Sequence, residues 1–455
     1  MKKNKKIFTE PFDRYKKPPK QNLFLTPLIW LCCWFLTRRG RLKIRRIRMK
    51  GLKPPFFVLG THHAFMDFYV TPLTLFPHRA NYVSELEGFE AFGEWIYRQV
   101  GCLGTRKFVN DLALPRNIKR IMDRKGILVL YPEARYANVG TSSDLSDSVG
   151  KLAKMLKVPI VTVHMKGNYL QSPIWNLKHR KGVPLEADIE QLYTREELAQ
   201  ATLPEISKKI QNALSYDEYA WQFERKIKIS EEFRAEGLEL VLYQCPHCCT
   251  EFQMSAKGAI LCCRACQSQW YMSEYGRLEF LPASASSKLS SSEVALDSVP
   301  PKMTSDSSSF DSYEVRPEWH IPDWYEWQRE QVIQSIDRGE YSLQTCVHIE
   351  SLPNAKNFID LGDGDLLHDQ NGFALTFIEY GDKEKQTLVL PPISMYSIHT
   401  EYDYRGKGQC VTLSTLDNTY FLYPRGEGFN ATKIQFATEY LFVQAKRKKE
   451  HRHVL

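Results

Sequence analysis

The chain has 455 residues, 12% of them aromatic, and a formal net charge of +8. That length excludes a single ordinary domain, and the positive balance favours acidic surfaces as partners. The charge is also unevenly placed, which says more than its total.

Lys2, Lys3, Lys5 and Lys6 open the chain, and Arg38, Arg39, Arg41, Lys43, Arg45, Arg46, Arg48 and Lys50 follow an apolar run, residues 22–36 (NLFLTPLIWLCCWFL). The run is short of the roughly 20 residues that a bilayer span needs, and it contains Pro27. With Trp30 and Trp34 suited to an interface and cations on both sides, residues 1–50 read as a monotopic, membrane-associating segment on an anionic cytoplasmic leaflet. A cleaved signal peptide is the rival, but no small-residue cleavage site follows; a buried core helix is the bland alternative.

A short apolar strand, residues 55–60, runs into Thr61-His62-His63-Ala64-Phe65-Met66-Asp67. A histidine and an aspartate five positions apart can build a general base: the carboxylate accepts one ring N–H, fixes the tautomer and stabilises the imidazolium. The competing reading is that the two residues only cap the next helix. Gly101 to Lys107 then places Arg106 and Lys107 after a Gly-containing turn. Residues 126–131 (GILVLY) form a buried-type strand leading into Pro132-Glu133-Ala134-Arg135, and a helical pattern over 145–156 precedes a further strand over 157–163. Strand, helix, strand with polar residues at strand ends predicts an α/β domain.

These four segments resemble the glycerolipid acyltransferases, the family of 1-acylglycerol-3-phosphate acyltransferase, over about residues 23–177. The family pattern is H-x4-D, a Gly…Arg block, F-P-E-G-T-R and a V-P-hydrophobic strand. His62 and Asp67 fit the first block; Pro132 and Glu133 fit the third, with Tyr131 for Phe. Lys107 stands at the Arg position of the second, beside Arg106, and Ala134-Arg135-Tyr136 replaces Gly-Thr-Arg, which moves the arginine one place earlier.

The resemblance implies an acyltransferase, residues 51–235, that moves a fatty acyl group from acyl-CoA or acyl carrier protein to a glycerol phosphate or lysophosphatidate hydroxyl. His62 would be the base, with no acyl-enzyme and no metal in the chemistry. It also implies that Arg106, Lys107 and Arg135 hold the acceptor phosphate and that Glu133 positions the acceptor or those cations. The alternative for each cation alone is a solvated face.

Residues 194–229 have helical composition. Cys245-Pro-His-Cys248 and Cys263-Arg-Ala-Cys266 are two C-x2-C knuckles separated by strand-like segments, the spacing of a zinc ribbon over 236–282, in which four thiolates close a structural site. Reduced cysteines imply the cytoplasmic side of the membrane. No dense basic and aromatic stripe accompanies the ribbon, so no nucleic-acid partner is expected.

Residues 283–313 are Ser-rich and read as a disordered linker. Over 314–455, an aromatic helical segment from Trp319, six alternating runs (343–350, 373–380, 386–390, 397–402, 410–415 and 420–424) and a final helix capped by Asn430 resemble a β-rich pleckstrin-homology-like domain. The expectation is thus a multidomain membrane-surface acyltransferase; a non-enzymatic membrane adaptor on a degenerate acyltransferase fold is the alternative.

Overall fold

The computed structural model describes residues 9–282 and 316–452. The expected linker over 283–313 and the Lys2 to Lys6 cluster lie outside the described residues.

The first sheet comprises β1 (Lys43–Ile47), β2 (Phe56–Gly60), β3 (Asn81–Glu85), β4 (Cys102–Thr105), β5 (Ile127–Leu130), β6 (Ile160–Lys166) and β7 (Glu186–Tyr193), in the order β1-β7-β6-β2-β5-β3-β4. Only β6 and β7 run antiparallel. β2 is central and fully buried because its alternate residues serve two cores. Phe57 and Leu59 pack with Ile118, Ile121 and Ala153 of the crossover helices Ala113–Asp123 and Asp147–Leu156, while Phe56 and Val58 pack with Val70 and Leu75 of the helix Asp67–Leu75. Since β2 and β5 are parallel neighbours, the segments leaving their C-terminal ends, Thr61 onward and Tyr131 onward, lie side by side.

The helix Thr26–Thr37 has 12 residues, about 18 Å of rise. It packs on the Asp67–Leu75 helix with Cys33 buried and with Trp30 edge-on to Phe76 at 4.8 Å, leaving Leu28, Leu31, Trp34 and Phe35 exposed. No helix among the described residues is long and apolar enough to cross a membrane. Part of the basic run that follows has structural work: Lys43–Ile47 is the edge strand β1, Arg45 pairs with Asp188, and Arg48 Nη2 lies 2.6 Å from Glu197 Oε1.

The second sheet is antiparallel: β8 (Met254–Lys257), β9 (Ile260–Cys263), β10 (Gln269–Met272), β11 (Arg277–Leu281) and β12 (Glu318–His320), in the order β12-β11-β10-β9-β8. β12 comes from beyond the Ser-rich stretch. The helix Ile321–Asp337 that follows it is fixed to the cysteine-bearing segment: Trp324 Nε1 donates to the Gln244 carbonyl at 2.9 Å, and Gln328 accepts from Gln244 N at 2.9 Å and donates to the Val241 carbonyl at 3.1 Å.

The third sheet is antiparallel, two meanders joined through β13 and β19: β13 (Leu343–Ser351), β14 (Ile359–Asp369), β15 (Gly372–Ile378), β16 (Lys385–Leu390), β17 (His399–Glu401), β18 (Cys410–Ser414) and β19 (Thr419–Pro424), ordered β16-β15-β14-β13-β19-β18-β17. The helix Ala431–Arg452 closes it. Asn430 Oδ1 accepts the Lys433 N–H at 3.0 Å, a side-chain N-cap, and Ile434, Ala437 and Leu441 are buried. One apolar core runs from Trp270 through Trp324 to Val347, Leu413 and Ile434, joining the second and third sheets.

Candidate active site and cysteine cluster

His62 leaves the end of β2, and Asp67 opens the next helix, where the N-terminal end of the helix dipole favours a carboxylate. His62 Nδ1 lies 3.0 Å from Asp67 Oδ2. The same oxygen accepts the His63 N–H at 2.7 Å and the Ala64 N–H at 3.2 Å, while Oδ1 accepts from Asn168 Nδ2 at 2.7 Å. Asp67 is wholly buried, so four donors fix both of its oxygens. With Nδ1–H donated to Asp67, Nε2 keeps its lone pair and is the atom that can take a proton. The imidazole stacks on Tyr131 (4.5 Å between centroids, 16°), and Tyr136 tilts over it at 4.6 Å.

Glu133 comes from the segment after β5 and is buried. Its Oε1 accepts the His62 backbone N–H at 3.2 Å, its Oε2 accepts the Ser143 N–H at 3.0 Å and hydroxyl at 3.1 Å, and the Tyr216 hydroxyl lies 3.3 Å from both oxygens. Burial pushes its carboxyl up to about 7 despite these donors. Glu133 therefore braces the backbone of His62 and is fully occupied in doing so. Ala134 beside it adopts φ 58°, the left-handed region in which a Cβ is crowded.

His63 is a different kind of histidine. It is fully buried, stacks on Tyr216 at 3.9 Å, and its Nδ1 lies 3.5 Å from Glu218 Oε1. Burial holds the imidazole neutral, and burial pushes the Glu218 carboxyl up to about 8 while the Gly167 N–H donates to it at 2.8 Å.

The three cations assigned to an acceptor phosphate all engage the third-sheet module. Arg106 donates from Nη1 to the Leu352 carbonyl (2.9 Å) and the Thr419 hydroxyl (2.8 Å), and from Nη2 to the Pro353 and Asp417 carbonyls (2.7 and 3.0 Å). Lys107 Nζ bonds Glu85 and lies 3.1 Å from His399 Nε2, whose ring in turn faces Glu401 at 3.1 Å. Arg135 Nη1 contacts Ser397 and sits 2.6 Å from Glu439 Oε1; Arg329 holds the other oxygen of Glu439 at 2.5 Å. Burial, and after it the neighbouring Lys107 ammonium, holds the His399 imidazole well below its ordinary range. Burial raises Glu401 to about 7.

Sequence reasoning missed Asn168, Glu218, Ser397, His399 and Glu439. Only Asn168 carried a local signal: it follows Gly167, which sits at φ 88° where an added Cβ would fall 2.0 Å from the Pro184 carbonyl oxygen. That tight turn at the end of β6 brings the amide under Asp67.

The Sγ atoms of Cys245, Cys248, Cys263 and Cys266 all lie within 4.8 Å of one another, with 3.7 Å for the 245–266 and 248–263 pairs. Those separations are too long for disulfides and match the roughly 3.8 Å between thiolates that each sit about 2.3 Å from a tetrahedral metal. The knuckles are built alike: the backbone N–H of Cys249 and of Gln267 donates back to the first cysteine of its knuckle at 2.9 Å, both residues have left-handed φ, and the Thr250 and Ser268 hydroxyls lie 3.3 Å from the Sγ of Cys248 and Cys266. The four cysteines could hold a metal ion such as zinc; Cys249 and Cys262 stand outside the set.

No family model and no curated protein matches the sequence. In the comparison with solved structures seven chains match, among them the 1-acyl-sn-glycerophosphate (LPA) acyltransferase PlsC from Thermotoga maritima, 14% identical, with a TM-score of 0.35 over 42% of this chain and 77% of that one.

Proposed function

We propose that the protein is an O-acyltransferase that moves a fatty acyl group from acyl-CoA or acyl carrier protein to the hydroxyl of a glycerol phosphate or lysophosphatidate. The observation that carries this reading is the His62–Asp67 pair: 3.0 Å apart, with Asp67 saturated by three further donors and Nε2 of His62 left to accept a proton. The acceptor oxygen attacks the thioester carbonyl as His62 takes its proton; the new ester C–O bond forms, the C–S bond breaks, and the imidazolium proton is returned to the thiolate or to solvent. The H-x4-D, Pro-Glu and Val-Pro segments support the same family.

Attachment to the cytoplasmic face of an anionic membrane is part of the reading, supported by exposed Leu28, Leu31, Trp34 and Phe35 next to Arg38 and Arg39. A structural zinc on the four cysteines is supported by their spacing, and a pleckstrin-homology-like module by the seven-stranded antiparallel sheet with its closing helix. An acceptor phosphate that reaches Arg135 would share its guanidinium with the Glu439 carboxylate, which holds Nη1.

The same engagement of Arg106, Lys107 and Arg135 favours a second reading, the membrane adaptor. One assay separates the two. Purified protein in anionic lipid is given acyl-CoA or acyl carrier protein with glycerol 3-phosphate, monoacylglycerol 3-phosphate, or a phosphate-free monoacylglycerol. Transfer to monoacylglycerol 3-phosphate that falls by a factor of roughly 10² to 10⁴ in His62→Ala supports the enzyme; absence of His62-dependent transfer to any acceptor supports the adaptor.

A further inference from the structure

We propose that a basic cavity at the N-terminal ends of β2, β3 and β5 binds the phosphate of an anionic phospholipid headgroup. The cavity has a volume of about 400 Å³ and is lined by Lys20, His78, Arg79, Arg124 and Lys125, with Pro54 and Pro77 among its walls. It has no carboxylate in its lining. Among the described residues, none of the four Lys and Arg side chains forms an ion pair. The contrast with the other end of the sheet is direct: Lys107 and Arg135 there face Glu85 and Glu439, whereas the charge here is unanswered and attracts an anion.

The cavity is framed rather than incidental. Arg124 donates to the Pro18 carbonyl at 3.0 Å, the Pro19 carbonyl at 2.5 Å and Asn81 Oδ1 at 2.8 Å; Arg79 donates to the Gln21 carbonyl at 3.1 Å; Gln21 Oε1 accepts the Ala80 N–H at 3.2 Å. These bonds strap residues 18–21 across the strand ends and bring Lys20 into the same lining as Lys125. Both lysines are exposed and carry no structural contact of this frame.

A lipid source follows from what flanks the cavity. Two residues beyond Gln21 stand Leu23 and Phe24, 61% and 88% exposed, and next to Pro77 stands Phe76, 54% exposed and in contact with Trp30. A phosphate in the cavity would place its acyl chains along this apolar ridge, with the diester between Lys20 and Lys125. The site is separate from His62: the two lie at opposite ends of β2, five residues at about 3.3 Å each.

The lipid assignment rests on the membrane reading given above, and its test requires no turnover. Partition of the full-length protein onto phosphatidylcholine vesicles with and without phosphatidylglycerol is measured by flotation, alongside calorimetric titration with inorganic phosphate. Lys20→Gln/Lys125→Gln should lose roughly thirtyfold in affinity for the anionic vesicles, a factor of about five for each cation, with binding to the neutral vesicles unchanged. Lys43→Gln/Lys50→Gln, the same charge change outside the cavity, should lose no more than a few-fold. An equal loss in the two double variants would overturn the cavity in favour of diffuse charge. Saturable phosphate binding that the Lys20/Lys125 variant loses, without any vesicle effect, would overturn the lipid source and assign the site to a soluble phosphate. His62→Ala should partition like wild type, so failure of the cavity and failure of the acyl-transfer reading register separately.

Discussion

Glu439→Gln should loosen the third-sheet module from the first sheet. Glu439 is only 20% exposed and lies between Arg135, 8% exposed, and Arg329, with Ser397 Oγ donating to it at 2.7 Å. The two guanidinium groups outweigh its burial and pull the carboxyl from its ordinary 4.5 to about 2. At about 1.36 kcal/mol per decade of proton affinity, that displacement is worth about 3 kcal/mol, within the range found when one partner of a buried pair is removed. The folded value lies below the unfolded one, so the contribution is complete above about pH 4.5 and drains as the pH falls toward 2. Urea unfolding should therefore show a deficit of about 3 kcal/mol for Glu439→Gln that is constant from pH 8 to 5 and shrinks below 4.5, with faster amide exchange over the helix Ala431–Arg452. Because the variant releases Arg135, the KM for a phosphorylated acceptor should fall relative to wild type. A deficit below about 0.5 kcal/mol, the size of an exposed pair, or one that does not change with pH, would refute the reasoning.

Asn168→Ala frees Asp67 Oδ1 and should lower kcat by roughly tenfold to a hundredfold through misplacement of His62, while KM stays near wild type; equal losses in both would point to unfolding instead. Gly167→Ala forces a Cβ against the Pro184 carbonyl at a left-handed φ and should cost several kcal/mol, about 3 or more, by chemical denaturation. Glu218 has a folded value raised to about 8, so its contribution is full at low pH and drains as the pH rises from 4.5 through 8; wild type should lose about 3 kcal/mol of stability between pH 5 and 8 that Glu218→Gln does not lose. Elemental analysis should find about one zinc per chain, lost in Cys245→Ser/Cys266→Ser, and a metal-free preparation with an intact second sheet would contradict a structural metal.

The elements that sequence made legible are those with an unmixed period. β2 is an uninterrupted apolar run buried on both faces, and the knuckles announce themselves by spacing alone. β14 was missed because Asp360, Gly362, Asp363, Gly364 and Asp365 spell a turn, yet the segment is held extended by β13 on one side and β15 on the other. Arg45 and Arg48 look in sequence like part of a headgroup-facing basic run because their partner carboxylates, Asp188 and Glu197, lie more than a hundred residues away. The same distance hid the environment of Arg106 and Arg135. A local motif names a cation, but partners as far away as Asp417, 311 positions along the chain from Arg106, decide what it touches.

The pairing of β12 with β11 has a consequence for the covalent chain. Arg277, Leu278 and Glu279 pair with His320, Trp319 and Glu318, and Trp270 meets Trp324 at 4.9 Å, so the parts of the polypeptide on either side of the Ser-rich stretch grip one another directly. A single cut within that stretch would leave a two-chain protein that comigrates under native conditions, and fragments expressed separately would assemble by strand complementation across β11 and β12.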